Sequence, residues 1–238
     1  MPLLGLFLGF LAYIPRSGRR KNLIPLAALQ NAGYLVLPLG QRLYPQEYEV
    51  FSLYCFLYII GMNVILWSIG KYLITGGSGE FRWRELLTPP LIVNLIAISI
   101  VLLGVHVYIP DVAIRGIEFL GGAAVPVATL VLGATLGHIG FRIGDIWRCG
   151  IPAIVTKLLV MPVATITILY VGGWMESNPL LTRFLVVESA VPPAAGLILQ
   201  VRTYGGERDL VGGIMLVSYI ACIVTIPISL LVLSHIMP

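Results

Sequence analysis

Glu188-Ser-Ala-Val-Pro-Pro-Ala-Ala-Gly196 lies inside an apolar segment long enough to cross a bilayer. It sets a carboxylate beside two adjacent prolines where water is scarce. A charge at membrane depth is costly and marks a pathway or a binding site by default. Two prolines remove two backbone donors and stop a helix, which frees carbonyls to face something polar. A second interruption is expected near Asn31–Pro38, where Gln30-Asn-Ala-Gly-Tyr-Leu-Val-Leu-Pro38 interrupts another apolar run. The rest of the chain reads as a bundle that holds these two breaks opposite each other.

Only 11% of the 238 residues are charged, against about 25% in a soluble domain. The deficit runs the whole length, with mean hydropathy +0.95. The chain is therefore expected to be an all-α polytopic membrane protein. The net charge of +4 does not indicate a nucleic-acid partner, because the basic residues sit between apolar runs, as orientation signals do. Cys55, Cys149 and Cys222 are far apart and show no metal spacing. His106, His138 and His235 are dispersed. No nucleophile–base set, nucleotide loop, metal site or cofactor motif is present, so no enzyme activity is expected.

Eight apolar segments follow in order, at 1–14, 23–43, 50–75, 89–109, 116–138, 149–173, 181–201 and 210–236. A span needs about 20 residues, and all but the first meet that. Met1 to Ile14 lacks the basic leading region of a signal peptide and is expected to be the remainder of a longer span. If the loop with Arg16, Arg19, Arg20 and Lys21 is cytoplasmic, alternation leaves only Arg42, Arg115 and Arg183, of fifteen Lys and Arg residues, on the other face. That asymmetry puts both termini outside a plasma or inner membrane. The Gly-rich stretch Thr75-Gly-Gly-Ser-Gly-Glu-Phe-Arg-Trp-Arg-Glu85 reads as a cytoplasmic connection between halves.

Several residues carry two readings. Asn31 either bonds a neighbouring helix across a kink or lines a site in an unwound crossing. Lys157 either snorkels to the interface or pairs with Glu188. Glu188 is either structural or takes part in proton coupling or charge balance. The aromatic residues of the third segment read mostly as packing or lipid contact. Gly5/Gly9 and Gly133/Gly137 are spaced for close helix approach.

The order of several pieces resembles the auxin efflux carrier family, which holds plant carriers and many bacterial permeases. The pieces are Asn31-Ala-Gly-Tyr-Leu-Val-Leu-Pro38-Leu, Gly121-Gly-Ala-Ala-Val-Pro126-Val-Ala-Thr-Leu-Val-Leu-Gly133-Ala-Thr-Leu, Lys157-Leu-Leu-Val-Met-Pro162, Ala190-Val-Pro-Pro-Ala-Ala195 and Thr225-Ile-Pro227. The resemblance implies a remnant of a ten-helix inverted-repeat fold, with the eight segments as helices three to ten and two broken helices that cross. Residues 1–75 and 147–236 would form the transport unit, 76–88 the linker, and 89–138 half of the scaffold. It further implies a secondary transporter of a small organic anion, in the lipid bilayer, dimeric through the scaffold. Substrate binding falls on Asn31, Gly33, Pro38, Ser189, Pro192 and Pro193, with Glu188 and Lys157 coupling protons or balancing charge. Two alternatives stay open: a non-transporting remnant or helper subunit, and a sodium-coupled symporter of the bile-acid type.

Overall fold

The computed structural model describes residues 1–14, 22–75, 87, 89–137 and 143–237. The basic loop at 15–21 and most of the Gly-rich linker lie outside the described residues. Regular structure among the described residues is helical, apart from one isolated antiparallel bridge between Gln30 and Pro193. Contacts divide the chain into two units, Met1–Phe81 with Ile139–Pro238, and Arg82–His138.

The first unit holds α1 (Pro2–Tyr13), α2 (Ile24–Ala28), α3 (Val36–Leu43) and α4 (Tyr48–Ile74) from the first half of the chain. The second unit contributes α5 (Pro89–Leu102) and α6 (Asp111–Gly137). The first unit resumes with α7 (Ile146–Val171), α8 (Pro179–Ala190), α9 (Gly196–Tyr204) and α10 (Arg208–Ile236). Helix occurs in each of the eight apolar segments. By length and composition α4, α7 and α10 can cross a membrane, while α1 and α5 are shorter apolar helices.

Two close approaches fix the first unit. A Cβ on Gly5 would sit 2.6 Å from Ala28 Cα, and one on Gly9 would sit 3.1 Å from Ile24 Cγ2. Glycine at both positions lets α1 lie directly on the backbone of α2, as small residues do where no hydrophobic drive exists between helices. Phe184 on α8 meets the rings of Phe51, Tyr54 and Tyr58 on α4, at centroid distances of 5.4, 6.1 and 6.0 Å. Those rings were expected mostly to serve packing or lipid contact. These three pack inside the unit, whereas Phe56 stays exposed.

Among the described residues, three helical turns are widened to π geometry, at Leu66–Gly70 in α4 and at Ile146–Gly150 and Thr156–Val160 in α7. Such bulges re-aim side chains and mark sites more often than plain helix does. At the first of them Gln200 of α9 donates through Nε2 to the Leu66 carbonyl at 2.9 Å.

Three expectations are corrected. The segment 89–109 is not one helix: α5 ends at Leu102, and Gly104 takes a left-handed φ of 69° that turns the chain. Gly133 and Gly137 make no close approach, since an added Cβ would meet nothing within 4 Å. Lys71, counted as an orientation charge, is buried, with Nζ 4.0 Å from the centre of the Tyr204 ring.

Candidate functional site

Both interruptions lie in the first unit. Helix α8 stops at Ala190, and Val191 is extended at ψ 154°. The stop is covalent in origin, because a residue before proline avoids the α region and a proline has no N–H for the ladder. Helix α2 stops at Ala28 with Leu29 extended at φ −102°, ψ 126°. No proline lies between Leu29 and Leu35. Pro38 is the third residue of α3, in a first turn whose donors have no intrahelical partner in any case. It lies where the helix resumes, beyond the unwound residues.

The two extended stretches pair in antiparallel fashion. Asn31 N–H donates to the Pro192 carbonyl at 2.9 Å, and Ala194 N–H donates to the Leu29 carbonyl at 3.0 Å. Gln30 and Pro193 face each other between those bonds. Pro193 occupies the non-hydrogen-bonded position, where a missing N–H costs the ladder nothing. Pro192 sits opposite Asn31 and cannot return the second bond of that pair. The Asn31 carbonyl is thereby denied its ladder partner by proline chemistry.

Side chains alternate along an extended strand, so Gln30 and Asn31 leave this crossing on opposite faces. Asn31 Nδ2 donates to the Tyr219 hydroxyl of α10 at 2.7 Å, and that hydroxyl donates to the Pro193 carbonyl at 3.2 Å. Gln30 Oε1 accepts from the Tyr58 hydroxyl of α4 at 2.9 Å. Cys55 Sγ lies 2.9 Å from the Ala32 carbonyl. Each half of the chain thus lends one tyrosine to the crossing. Neither tyrosine was singled out from the sequence. The available signal was a hydroxyl in an apolar helix, which needs a partner once buried.

Glu188, Ser189 and Lys157 gather at the end of α8. All three are fully buried. Among the described residues, neither carboxylate oxygen of Glu188 has a hydrogen-bond partner, nor does Gln30 Nε2. Lys157 Nζ donates to the Ser189 carbonyl at 3.3 Å. The carboxyl group lies in the field of that ammonium, and Tyr58 and Cys55 lie near enough to feel it in turn. Lys157 therefore does not snorkel: its head is held by a main-chain oxygen in the interior. The Ser189 hydroxyl donates to Val186 of its own helix at 2.7 Å, so this residue offers the site its carbonyl. Gly33 lies in the turn before α3 without positive φ, and a Cβ there would make ordinary contact with Ile59 Cδ1 at 3.5 Å. Asn31, Pro192 and Pro193 are thus brought into contact, Glu188, Ser189 and Lys157 form an adjoining cluster, Gly33 sits between Asn31 and α3, and Pro38 lies in the first turn of α3.

Residues 77–230 match the family described as membrane transport protein. An uncharacterized transporter of Methanocaldococcus jannaschii is 28% identical over 203 residues, covering 79% of this chain and 63% of that protein. An uncharacterized transporter of Methanothermobacter thermautotrophicus is 27% identical over 220 residues, covering 91% of this chain and 69% of that protein. The chain thus spans 63% and 69% of the length of these two relatives. No solved structure matches. With a family match over more than half its length, the chain belongs to the membrane transport protein family, the auxin efflux carrier group.

Proposed function

We propose that this protein is a secondary transporter, a permease or efflux carrier, that moves a small organic anion such as a carboxylate by alternating access at the paired breaks. The observation that carries the reading is the backbone pairing of Leu29–Asn31 with Pro192–Ala194. Non-helical backbone at membrane depth is tolerated only where it is enclosed by protein or lines a polar cavity. Helices α3 and α9 begin at this crossing, and their first N–H groups give it partial positive charge suited to a carboxylate. Helices α2 and α8 end there, with the opposite sign. Asn31 contributes its amide on one face, the extended Pro192–Pro193 keeps the backbone unwound, and Glu188 with Lys157 balances charge or couples a proton beside it.

In this reading the eight apolar segments are helices three to ten of the ten-helix inverted-repeat fold, with both termini outside the cell membrane. The first unit is the transport unit and the second belongs to the scaffold. The relatives named as transporters support transport as the class; the organic anion rests on the family resemblance, with the N-terminal ends of α3 and α9 as its physical support.

The test is uptake of radiolabelled mono- and dicarboxylates by the purified chain in proteoliposomes. Asn31→Ala and Glu188→Gln should each lower uptake of the transported carboxylate at least tenfold while the protein stays folded. If both variants carry every tested carboxylate as the parent does, the site assignment fails.

A further inference from the structure

We propose that the Lys157 ammonium is a tethered cation filling a monovalent-cation site at the C-terminal end of α8, and that its removal opens this site to free sodium. The proposal rests on the charge-balancing reading of Glu188 and Lys157. Its test uses no substrate, so a failure to transport carboxylates leaves it standing.

The last carbonyls of a helix lack intrahelical partners and carry partial negative charge. Helix α8 ends at Ala190 inside the protein. Its extension is blocked by Pro192 and Pro193, so its terminal carbonyls need another partner. One of them, on Ser189, receives Lys157 Nζ at 3.3 Å. The preceding residue is Glu188, fully buried with both carboxylate oxygens unpartnered among the described residues. A carboxylate and a main-chain carbonyl on consecutive residues are hard oxygen ligands of the kind alkali cations take. Half-helix C-termini at interrupted membrane helices serve in this way. The ammonium arrives from α7 on the π turn Thr156–Val160, which re-aims a side chain that regular winding would point elsewhere.

When ionised, Glu188 needs a positive neighbour, because an unpaired charge in the interior is strongly destabilising. With lysine present that neighbour is covalently attached and cannot leave with the substrate.

The experiment compares the full chain in nanodiscs with Lys157→Met and with Lys157→Met/Glu188→Gln. Thermal midpoints are measured in sodium chloride and in N-methyl-D-glucamine chloride of equal strength, with binding of radioactive sodium measured alongside. The parent should bind no sodium and show the same midpoint in both salts. Lys157→Met should bind sodium saturably and melt higher in sodium chloride, by mass action on the folded state. The double variant should lose both effects. Sodium binding by the parent that Lys157→Met leaves unchanged overturns the proposal, as does a folded Lys157→Met chain with no preference for sodium. If Lys157→Met stays unfolded in sodium chloride while the double variant folds, sodium cannot replace the ammonium, and the proposal fails. If the double variant is unfolded too, the lysine is needed for packing rather than charge, and the proposal fails again.

Discussion

The two breaks are alike in backbone and unlike in cause. Between Ala190 and Gly196 the chain cannot be helical, because Pro192 and Pro193 lack donors and hold their predecessors extended. Between Ala28 and Val36 there is no proline, and Pro38 bears only on the far end of the stretch, where its ring would meet the Tyr34 carbonyl in a continuous helix. That stretch is held open by partners: Pro192 takes the Asn31 N–H, Tyr219 the Asn31 amide, Cys55 the Ala32 carbonyl and Tyr58 the Gln30 side chain. The second break is thus a template, and the first is open on condition that its surroundings stay in place. A chain that must change conformation gains from having one fixed strand and one conditional strand at the same crossing.

If the first break depends on its surroundings, the wall behind it should be the most sensitive place to touch. Gly5 lies on the Ala28 backbone, the last helical residue before the break, and backbone cannot swing aside. Gly5→Ala should cost about 1–3 kcal/mol of stability, the usual range for overpacking. The matching change at the second break is Gly196→Ala. Its Cβ would meet only Leu66 Cδ2, at 3.1 Å, the end of a side chain that can give. Thermal midpoints of the two variants in one detergent should differ clearly, with Gly5→Ala the lower. Equal losses would mean that both breaks are gripped alike.

The next effect concerns the side-chain bonds. Asn31→Ala removes the amide that Tyr219 accepts from and should cost about 1–3 kcal/mol, the range for a buried polar group left unpaired. A double-mutant cycle with Tyr219→Phe should show coupling of about 0.5–3 kcal/mol. Hydrogen exchange across Leu29–Leu35 should speed up in Asn31→Ala. Pro192→Ala behaves differently: it supplies an N–H that can reach the Asn31 carbonyl, while Pro193 still blocks the helix. Its stability should stay within about 1 kcal/mol of the parent, with slower exchange at Asn31. Faster exchange there would mean that the template strand had rewound.

The conditional nature of the first break explains what could be read in advance. Proline acts on its own neighbours, so the second break was legible from Pro192-Pro193. The cost of buried charge drew attention to Glu188, and small residues four apart gave the seat of α1 on α2. The first break is expected near Asn31–Pro38 and the chain unwinds at Leu29–Leu35; its exact extent was not legible, because its partners lie on α4, on α10 and on the Pro192–Ala194 strand. Tyr58 and Tyr219 escaped notice for a related reason: a tyrosine in an apolar helix reads as packing until its hydroxyl partner is known. Lys157 carries two readings, interfacial or paired with Glu188, and the Ser189 carbonyl that holds it inside could not be read in advance, because it depends on where α8 stops.

The smallest predicted effect is also the cleanest probe of conditionality. Gly33 stands inside the first break, where a glycine in an apolar helix suggests a hinge that needs backbone freedom. Its φ lies outside the left-handed region, and the space its Cβ would enter is ordinary contact with Ile59 Cδ1 at 3.5 Å. Gly33→Ala should therefore shift stability by no more than about 0.5 kcal/mol, as substitutions away from special features do. Alanine also favours helix over glycine by about 1 kcal/mol, so the same change biases the stretch toward rewinding. If the partners at Gln30, Asn31 and Ala32 govern the break, hydrogen exchange across Leu29–Leu35 will match the parent despite that bias. If exchange slows at successive amides there, as in a newly formed helical turn, the break was being held open by glycine itself, and the difference between the two strands reduces to which flexible or rigid residue interrupts each.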